Sequence, residues 1–135
     1  MPVETFNPTG LPQVEMYRQV AVATGTRTVY VAGQVARTAD GTPVGAGDLA
    51  AQTEQAMVNV HTALTAAGAE LTDIAKLTVY VADWAPERMA DLGAGMAAAA
   101  GRLGGGVLVP VTLIGVATLA EPDIMIEIEA VAVLA

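Results

Sequence analysis

Apolar residues return every three or four positions in two parts of this chain, which is the spacing of helices with one buried face. The first stripe starts after Asp48, a typical N-cap, and ends before Gly68, a typical residue just beyond a helix end. It predicts a helix from 49 to about 67. A second helix is predicted after Pro86, running to about Ala100, with a flexible glycine-rich connection at 101–106.

Apolar and polar residues alternate elsewhere, which predicts strands. The runs Val20–Ala23 and Thr28–Ala32 flank a Gly-containing turn and predict a hairpin. Further strands are predicted at 74–82, 107–118 and 124–133. In the first of these, Ala75, Leu77, Val79 and Val81 face one way, and Lys76, Thr78 and Tyr80 face the other. Residues 1–18 are rich in proline and polar groups and are interpreted as an extended arm with little internal order.

The order of elements is therefore β-β-α-β-α-β-β in one α+β domain spanning residues 1–135, and we expect two helices on one face of a sheet. The last strand supports this arrangement, because Ile124, Ile126 and Ile128 share one face with two alanines. Its other face carries Glu127 and Glu129 among apolar residues. A face this apolar that no helix covers is typical of a subunit interface with polar clefts. The two glutamates are interpreted either as a solvated stripe or as a site in such a cleft.

Composition narrows the classes of function. Hydrophobic residues make up 53% of 135, yet no apolar run reaches the roughly 20 residues of a membrane span, so we expect an oligomer rather than a membrane protein. The net charge of −8 and six scattered basic residues disfavour nucleic acid but leave room for a small anionic ligand. With no cysteine and no signal-like start, we expect a cytoplasmic protein without disulfides. His61, the single histidine, is expected to be structural, and no metal site is predicted.

Five segments together resemble the RidA/YjgF family of reactive-intermediate deaminases over about residues 17–133. They are Val31–Gln34, Gln55–Val60, Ala66–Gly68, Asp73–Asp83 and Ile126–Ala132. The resemblance implies a chorismate-mutase-like α+β fold and a homotrimer with clefts between subunits. It also implies hydrolysis of imines and enamines, such as 2-aminoacrylate, to keto acids and ammonia, with no metal or organic cofactor.

The resemblance further implies which residues form the site. Glu127 matches the family's glutamate, and Thr112 stands where the family has its arginine. The remaining substrate-binding candidates are Tyr17, Ala32 (a serine in the family), Gly33, and Asp91 (near a family asparagine). An arginine fork holds a substrate carboxylate with two parallel hydrogen bonds, which threonine cannot do. We therefore expect poor activity on 2-aminoacrylate, unless Arg102 or Arg37 supplies the missing charge.

Two functions stay open at this point. One is a divergent hydrolase in which Glu127 positions water or a proton, Thr112 and backbone groups hold the substrate, and Tyr17 lines the cleft. The other is a non-enzymatic trimer that binds or chaperones a small metabolite in the same clefts. RNA cleavage, an activity sometimes attached to the family, is disfavoured by the acidic charge.

Overall fold

The computed structural model describes residues 2–135, and in that range two helices cover one face of a four-stranded sheet. The elements are β1 Val3–Phe6, β2 Val20–Ala23, β3 Arg27–Gln34, α1 Leu49–Ala66, β4 Ile74–Ala82, α2 Met89–Leu103, β5 Val111–Val116 and β6 Ile126–Leu134. The strand order in the sheet is β3-β6-β4-β5. β4 and β5 are parallel, and the other neighbours are antiparallel.

The predicted order of elements is confirmed, but the N-terminal part differs from the prediction. The arm contains β1, which pairs antiparallel with β2, so the expected hairpin between 20–23 and 28–32 is wrong. β3 pairs with β6 instead. Between β2 and β3 the chain lies against the end of β6, where the Thr26 N–H donates to the Leu134 carbonyl at 3.0 Å and a Cβ on Gly25 would collide with that carbonyl.

Helix α1 has the predicted ends. The Asp48 carboxylate accepts a hydrogen bond from the Ala51 N–H at 3.0 Å, and Gly68 follows the C-cap with φ +81°. The helix buries most of the predicted stripe, including Ala56, Val60 and Leu64. These residues pack against the sheet and form the centre of the core.

Helix α2 runs three residues further than predicted and ends at Leu103, because Gly104 adopts φ +79° and caps it. A short 3-10 turn over Pro86–Arg88 precedes it. α2 lies close along α1 at Gly95, where an added Cβ would be 2.5 Å from the Ala50 carbonyl oxygen. The lack of a side chain at this position is what lets the two helices pack so closely.

The alternation predicted for the central strands is confirmed with one shift. Ile126, Ile128, Ala130 and Ala132 of β6 are all buried against the helical layer of α1 and α2, together with Leu77, Val79 and Val81 of β4. A register irregularity between Ile74 and Lys76 puts Ile74, and not Ala75, in the core. β5 is shorter than its predicted range at both ends, and β6 starts two residues later than predicted.

Neither helix within residues 2–135 is both long and apolar enough to cross a lipid bilayer.

Candidate functional site

The sheet face opposite the helices, called here the outer sheet face, carries the outward-facing side chains of all four strands, including Glu127, Glu129 and Lys76. Its members are Thr28, Tyr30 and Ala32 on β3, Glu127, Glu129, Val131 and Val133 on β6, Lys76, Thr78 and Tyr80 on β4, and Thr112 and Ile114 on β5. Each is exposed or half-buried, whereas its neighbours along the chain turn toward the helices. Tyr30 is 78% exposed and Ile114 39%, so this face presents apolar surface beside its charges.

Tyr80 organises the two glutamates of this face. Its hydroxyl donates to the Glu129 carboxylate at 2.9 Å, and the strand register places it directly opposite Glu127. The hydrogen bond to Glu129 raises the pKa of Tyr80 above its usual value, and partial burial and the charges of both glutamates act in the same direction. Glu129 is thereby held by a protonated phenol. The Glu127 carboxylate, in contrast, receives no hydrogen bond from any residue between 2 and 135.

Glu127 and Gly33, two of the predicted site residues, are in contact. The register between β3 and β6 shifts between Val31 and Gln34, and this brings the Gly33 backbone against the Glu127 side chain. A Cβ on Gly33 would collide with the carboxyl group of Glu127. Glycine at position 33 therefore makes the room that the carboxylate occupies.

Ala32 and Thr112 also lie on the outer sheet face, and the basic residue Lys76 is near both of them. The Lys76 ammonium donates to the Thr112 hydroxyl oxygen at 2.6 Å. Lys76 and Ala32 line the same open cavity of about 490 Å³, with Tyr30, Thr78 and Glu129 among the other lining residues. The sequence analysis placed Lys76 on this face by alternation but gave it no role.

Within one chain, Thr112 and Glu127 do not meet. Thr112 is aligned with Thr78 and, across β4, with Glu129, whereas Glu127 is aligned with Tyr80. β4 separates β5 from β6, so the two backbones lie at least roughly 10 Å apart at the usual strand spacing. The two side chains are therefore not in contact within one chain.

The other two predicted residues lie further away. Asp91 is exposed in the first turn of α2, in the helical layer on the far side of the sheet. Tyr17 is half-buried in the arm, where the next residue, Arg18, donates its N–H to the Val109 carbonyl at 3.1 Å. This bond brings the arm beside the entry to β5, three residues before Thr112.

The structure places neither Arg37 nor Arg102 on the outer sheet face. The Arg37 guanidinium contacts both Asp123 and Glu121 at 2.9 Å, and these hydrogen bonds raise its pKa. Arg102 lies in the helical layer and pairs with Glu54 of α1 at 3.0 Å. Within one chain, both guanidinium groups are therefore paired with carboxylates away from Thr112, and a role for either arginine in the site stays a prediction.

A buried residue that the sequence analysis missed sets the start of β6. The Gln52 side chain accepts from the Met125 N–H at 2.9 Å and donates to the carbonyls of Asp123 and Gly45 at 3.0 and 3.1 Å. It thus fixes the backbone two residues before Glu127 to helix α1. Its position three residues after Leu49, within the buried stripe, was the available signal. Among residues 2–135 no group of three His, Asp or Glu side chains is arranged to hold a metal ion.

Comparison with known proteins agrees with this architecture. The model of the family described as Endoribonuclease L-PSP matches residues 10–134. A Rid-family protein from Yersinia pestis is 34% identical and has a TM-score of 0.89, with 99% of this chain and 100% of that chain covered. The YjgF gene product of E. coli is 28% identical with a TM-score of 0.69, covering 98% and 99%. E. coli TdcF, solved with bound serine, is 25% identical with a TM-score of 0.69 and the same coverage.

These matches extend over nearly the whole chain and include the strands that carry the outer sheet face. The protein belongs to the Endoribonuclease L-PSP family, which is the RidA/YjgF family of the sequence analysis. The expected α+β fold is thereby confirmed.

Proposed function

We propose that this protein is a divergent imine or enamine hydrolase of the deaminase type, acting on a small metabolite in clefts between three copies of the chain. The observation that carries the proposal is the Glu127 carboxylate, which lies against Gly33 on the outer sheet face without a hydrogen-bond donor from its own chain. A carboxylate left free in this way is available to water or to a reacting nitrogen. We also propose the cytoplasm as its compartment, as the cysteine-free acidic sequence predicts.

The reaction assigns a clear task to Glu127. Water adds its oxygen to the imine carbon while the carboxylate takes a proton from that water and passes it to the nitrogen, which gives a carbinolamine. The carboxylate then moves the hydroxyl proton of the carbinolamine to its nitrogen, the C–N bond breaks, and ammonia and a carbonyl compound remain. E. coli TdcF binds serine, and a ligand of that size suits the small cavity on the outer sheet face.

Two features support a cleft shared between copies. Thr112 and Glu127 lie on different strands without meeting in one chain, and Asp91 lies in the helical layer. The exposed apolar residues Tyr30 and Ile114 supply a surface that a second copy would bury.

The alternative is a non-enzymatic trimer that binds or chaperones a small metabolite in the same clefts. It is favoured by Thr112 and Ala32, where the family resemblance implies an arginine and a serine. RNA cleavage, the activity in the family's description, is poorly supported by a chain of net charge −8.

A turnover assay tests the proposal directly. 2-Aminoacrylate is generated in situ by a serine dehydratase, and keto-acid release is compared without protein, with wild type, and with Glu127→Gln and Thr112→Arg. We expect slow wild-type turnover that Glu127→Gln abolishes, and a gain of about tenfold or more for Thr112→Arg, because a bidentate charged pair is restored.

The same assay can overturn the proposal. The hydrolase is excluded if wild type and Thr112→Arg are both indistinguishable from the protein-free reaction on 2-aminoacrylate and on a neutral imine. If a small metabolite still raises the melting temperature of that inactive protein, it is a metabolite-binding protein. If wild type is fast and Glu127→Gln is equally fast, the assignment of Glu127 is wrong.

A further inference from the structure

Lys76 has a charge that no acidic side chain of its own chain neutralises. Its ammonium group contacts the Thr112 hydroxyl at 2.6 Å, and no carboxylate within residues 2–135 lies within 4 Å of it. The nearest acidic residue across the strands, Glu129, is instead held by the Tyr80 hydroxyl at 2.9 Å. An ammonium group has three N–H donors, so two remain available after the contact with Thr112.

The other basic residues are engaged elsewhere or lie at a distance. Arg37 and Arg102 pair with carboxylates away from the outer sheet face. Arg18 and Arg88 donate to backbone carbonyls near their own positions. Arg27 begins β3, on the sheet edge opposite β5 and therefore far from Thr112.

Thr112 is well suited to work beside this lysine. Its oxygen accepts the hydrogen bond from Lys76, so its own hydroxyl proton is free to be donated to a ligand. The two side chains together present an ammonium and a hydroxyl next to a cavity of about 490 Å³. This is a single-point anion site, in contrast to the planar fork of an arginine.

We propose that Lys76, positioned by Thr112, binds the carboxylate of the substrate in this protein, beside the position where the family resemblance implies an arginine. This inference rests on the proposed function for the identity of the site, and it adds the residue that holds the substrate.

Binding of pyruvate, measured by calorimetry on the full-length protein, tests the inference without any need for turnover. We expect Lys76→Met to weaken pyruvate binding by about tenfold or more, the usual worth of a hydrogen bond to a charged group. Lys76→Arg should bind within a few-fold of wild type, and Thr112→Val should fall between them. Arg102→Met, which removes a more exposed cation from the helical layer, is the matched control and should change nothing.

Thermal unfolding and native mass of each variant show whether it keeps the wild-type fold and assembly. Lys76→Met conserves the length of the side chain and adds no charge to a face that other copies would cover, so we expect both to be unchanged. Pyruvate binding that is equally tight in wild type and Lys76→Met overturns the inference. So does a wild type that does not bind pyruvate.

The two proposals fail in different ways. Pyruvate binding that depends on Lys76 in a protein without any turnover leaves the inference standing and removes the hydrolase. Turnover that depends on Glu127 but is the same in Lys76→Met leaves the hydrolase standing and removes the inference.

Discussion

At the scale of single residues, Tyr80 controls the charge on the outer sheet face. It lies opposite Glu127 and donates to Glu129, so its phenol is bonded to one carboxylate and lies near the charge of a second. Ionising that phenol would put a third negative charge beside them. The hydrogen bond to Glu129 and the charges of both glutamates therefore favour the protonated form of Tyr80, and this raises its pKa.

An alkaline titration of tyrosinate absorbance tests this coupling. The difference between wild type and Tyr80→Phe isolates Tyr80, and its midpoint should lie above the ordinary value of about 10. Because the pKa of Tyr80 is raised in the folded state, its contribution to the free energy of unfolding is fully present below its unfolded-state pKa. That contribution is lost as the pH rises through its folded-state pKa. Glu129→Gln should lower the midpoint toward the ordinary value, whereas Glu121→Gln, near Arg37, should leave it unchanged. A midpoint at or below the ordinary value contradicts this account.

At the scale of elements, α1 and α2 meet through small residues, and two glycines of α2 have opposite effects on the stability of this contact. Gly95 is buried where α2 approaches α1, and an added Cβ would be 2.5 Å from both the Ala50 carbonyl oxygen and the Thr53 Cβ. Gly93, half a turn away, has nothing within 4 Å of such an atom. Both glycines weaken the helix by their backbone freedom, but only one of them is needed for packing.

Two alanine substitutions separate these roles. Gly93→Ala should raise the free energy of unfolding by about 0.5–1 kcal/mol, because it removes the cost of a glycine inside a helix. Gly95→Ala should lower it, since overpacking costs about 1–3 kcal/mol and outweighs the same gain. Denaturant unfolding at one protein concentration measures both changes. Equal stabilisation by the two variants would show that the helices do not pack closely at Gly95.

The limits of the sequence analysis lie at this same scale. Asp48 and Gly68 bound α1 through local hydrogen bonds and backbone angles, and the alternation in β6 reports directly which side chains face the core. The pairing partners of β2 and β3 depend on contacts between distant segments, such as Gly25 against the end of β6. A local turn signal therefore predicted a hairpin that the rest of the chain prevents.

In the candidate site, too, local patterns were predictable and contacts between distant segments were not. The face of Glu127 followed from period-two alternation in the last strand, whereas Ala32 and Thr112 were named through the family resemblance alone. The contact of Gly33 with Glu127 depends on a register shift that alternation does not encode. Lys76 was overlooked because its importance comes from a neighbouring strand, where Thr112 lies 36 positions later in the sequence.

At the scale of the whole molecule, the outer sheet face combines exposed apolar groups with charges that one chain leaves without partners. Tyr30 is 78% exposed and lines a cavity with Lys76, and Glu127 lies further along β6 on the same face. In the trimer that we propose, other copies would cover this face, which would remove the apolar surface from water and form a cleft shared between copies. The proposed assembly and the proposed site are therefore best tested together.

Light scattering after size exclusion tests the assembly. We expect a native mass of about 41 kDa, three times the 13.7 kDa of one chain. Tyr30→Asp should shift the protein toward the mass of one chain, because a buried, unpaired carboxylate is costly and Glu129, which lines the same cavity, repels it. The residue is 78% exposed in one chain, so the fold of each copy should survive. Met89→Asp, at a 43% exposed methionine in the helical layer, is the control and should keep the wild-type mass.

The two masses also decide where the site lies. If the cleft is shared, the Tyr30→Asp protein should lose both keto-acid release and pyruvate binding while its circular dichroism stays that of wild type. A wild-type protein that has the mass of one chain at tens of micromolar would contradict the trimer. A single-chain Tyr30→Asp protein that turns over substrate as fast as wild type would show instead that Glu127, Lys76 and Thr112 act within one copy, with β4 bridging the gap between them.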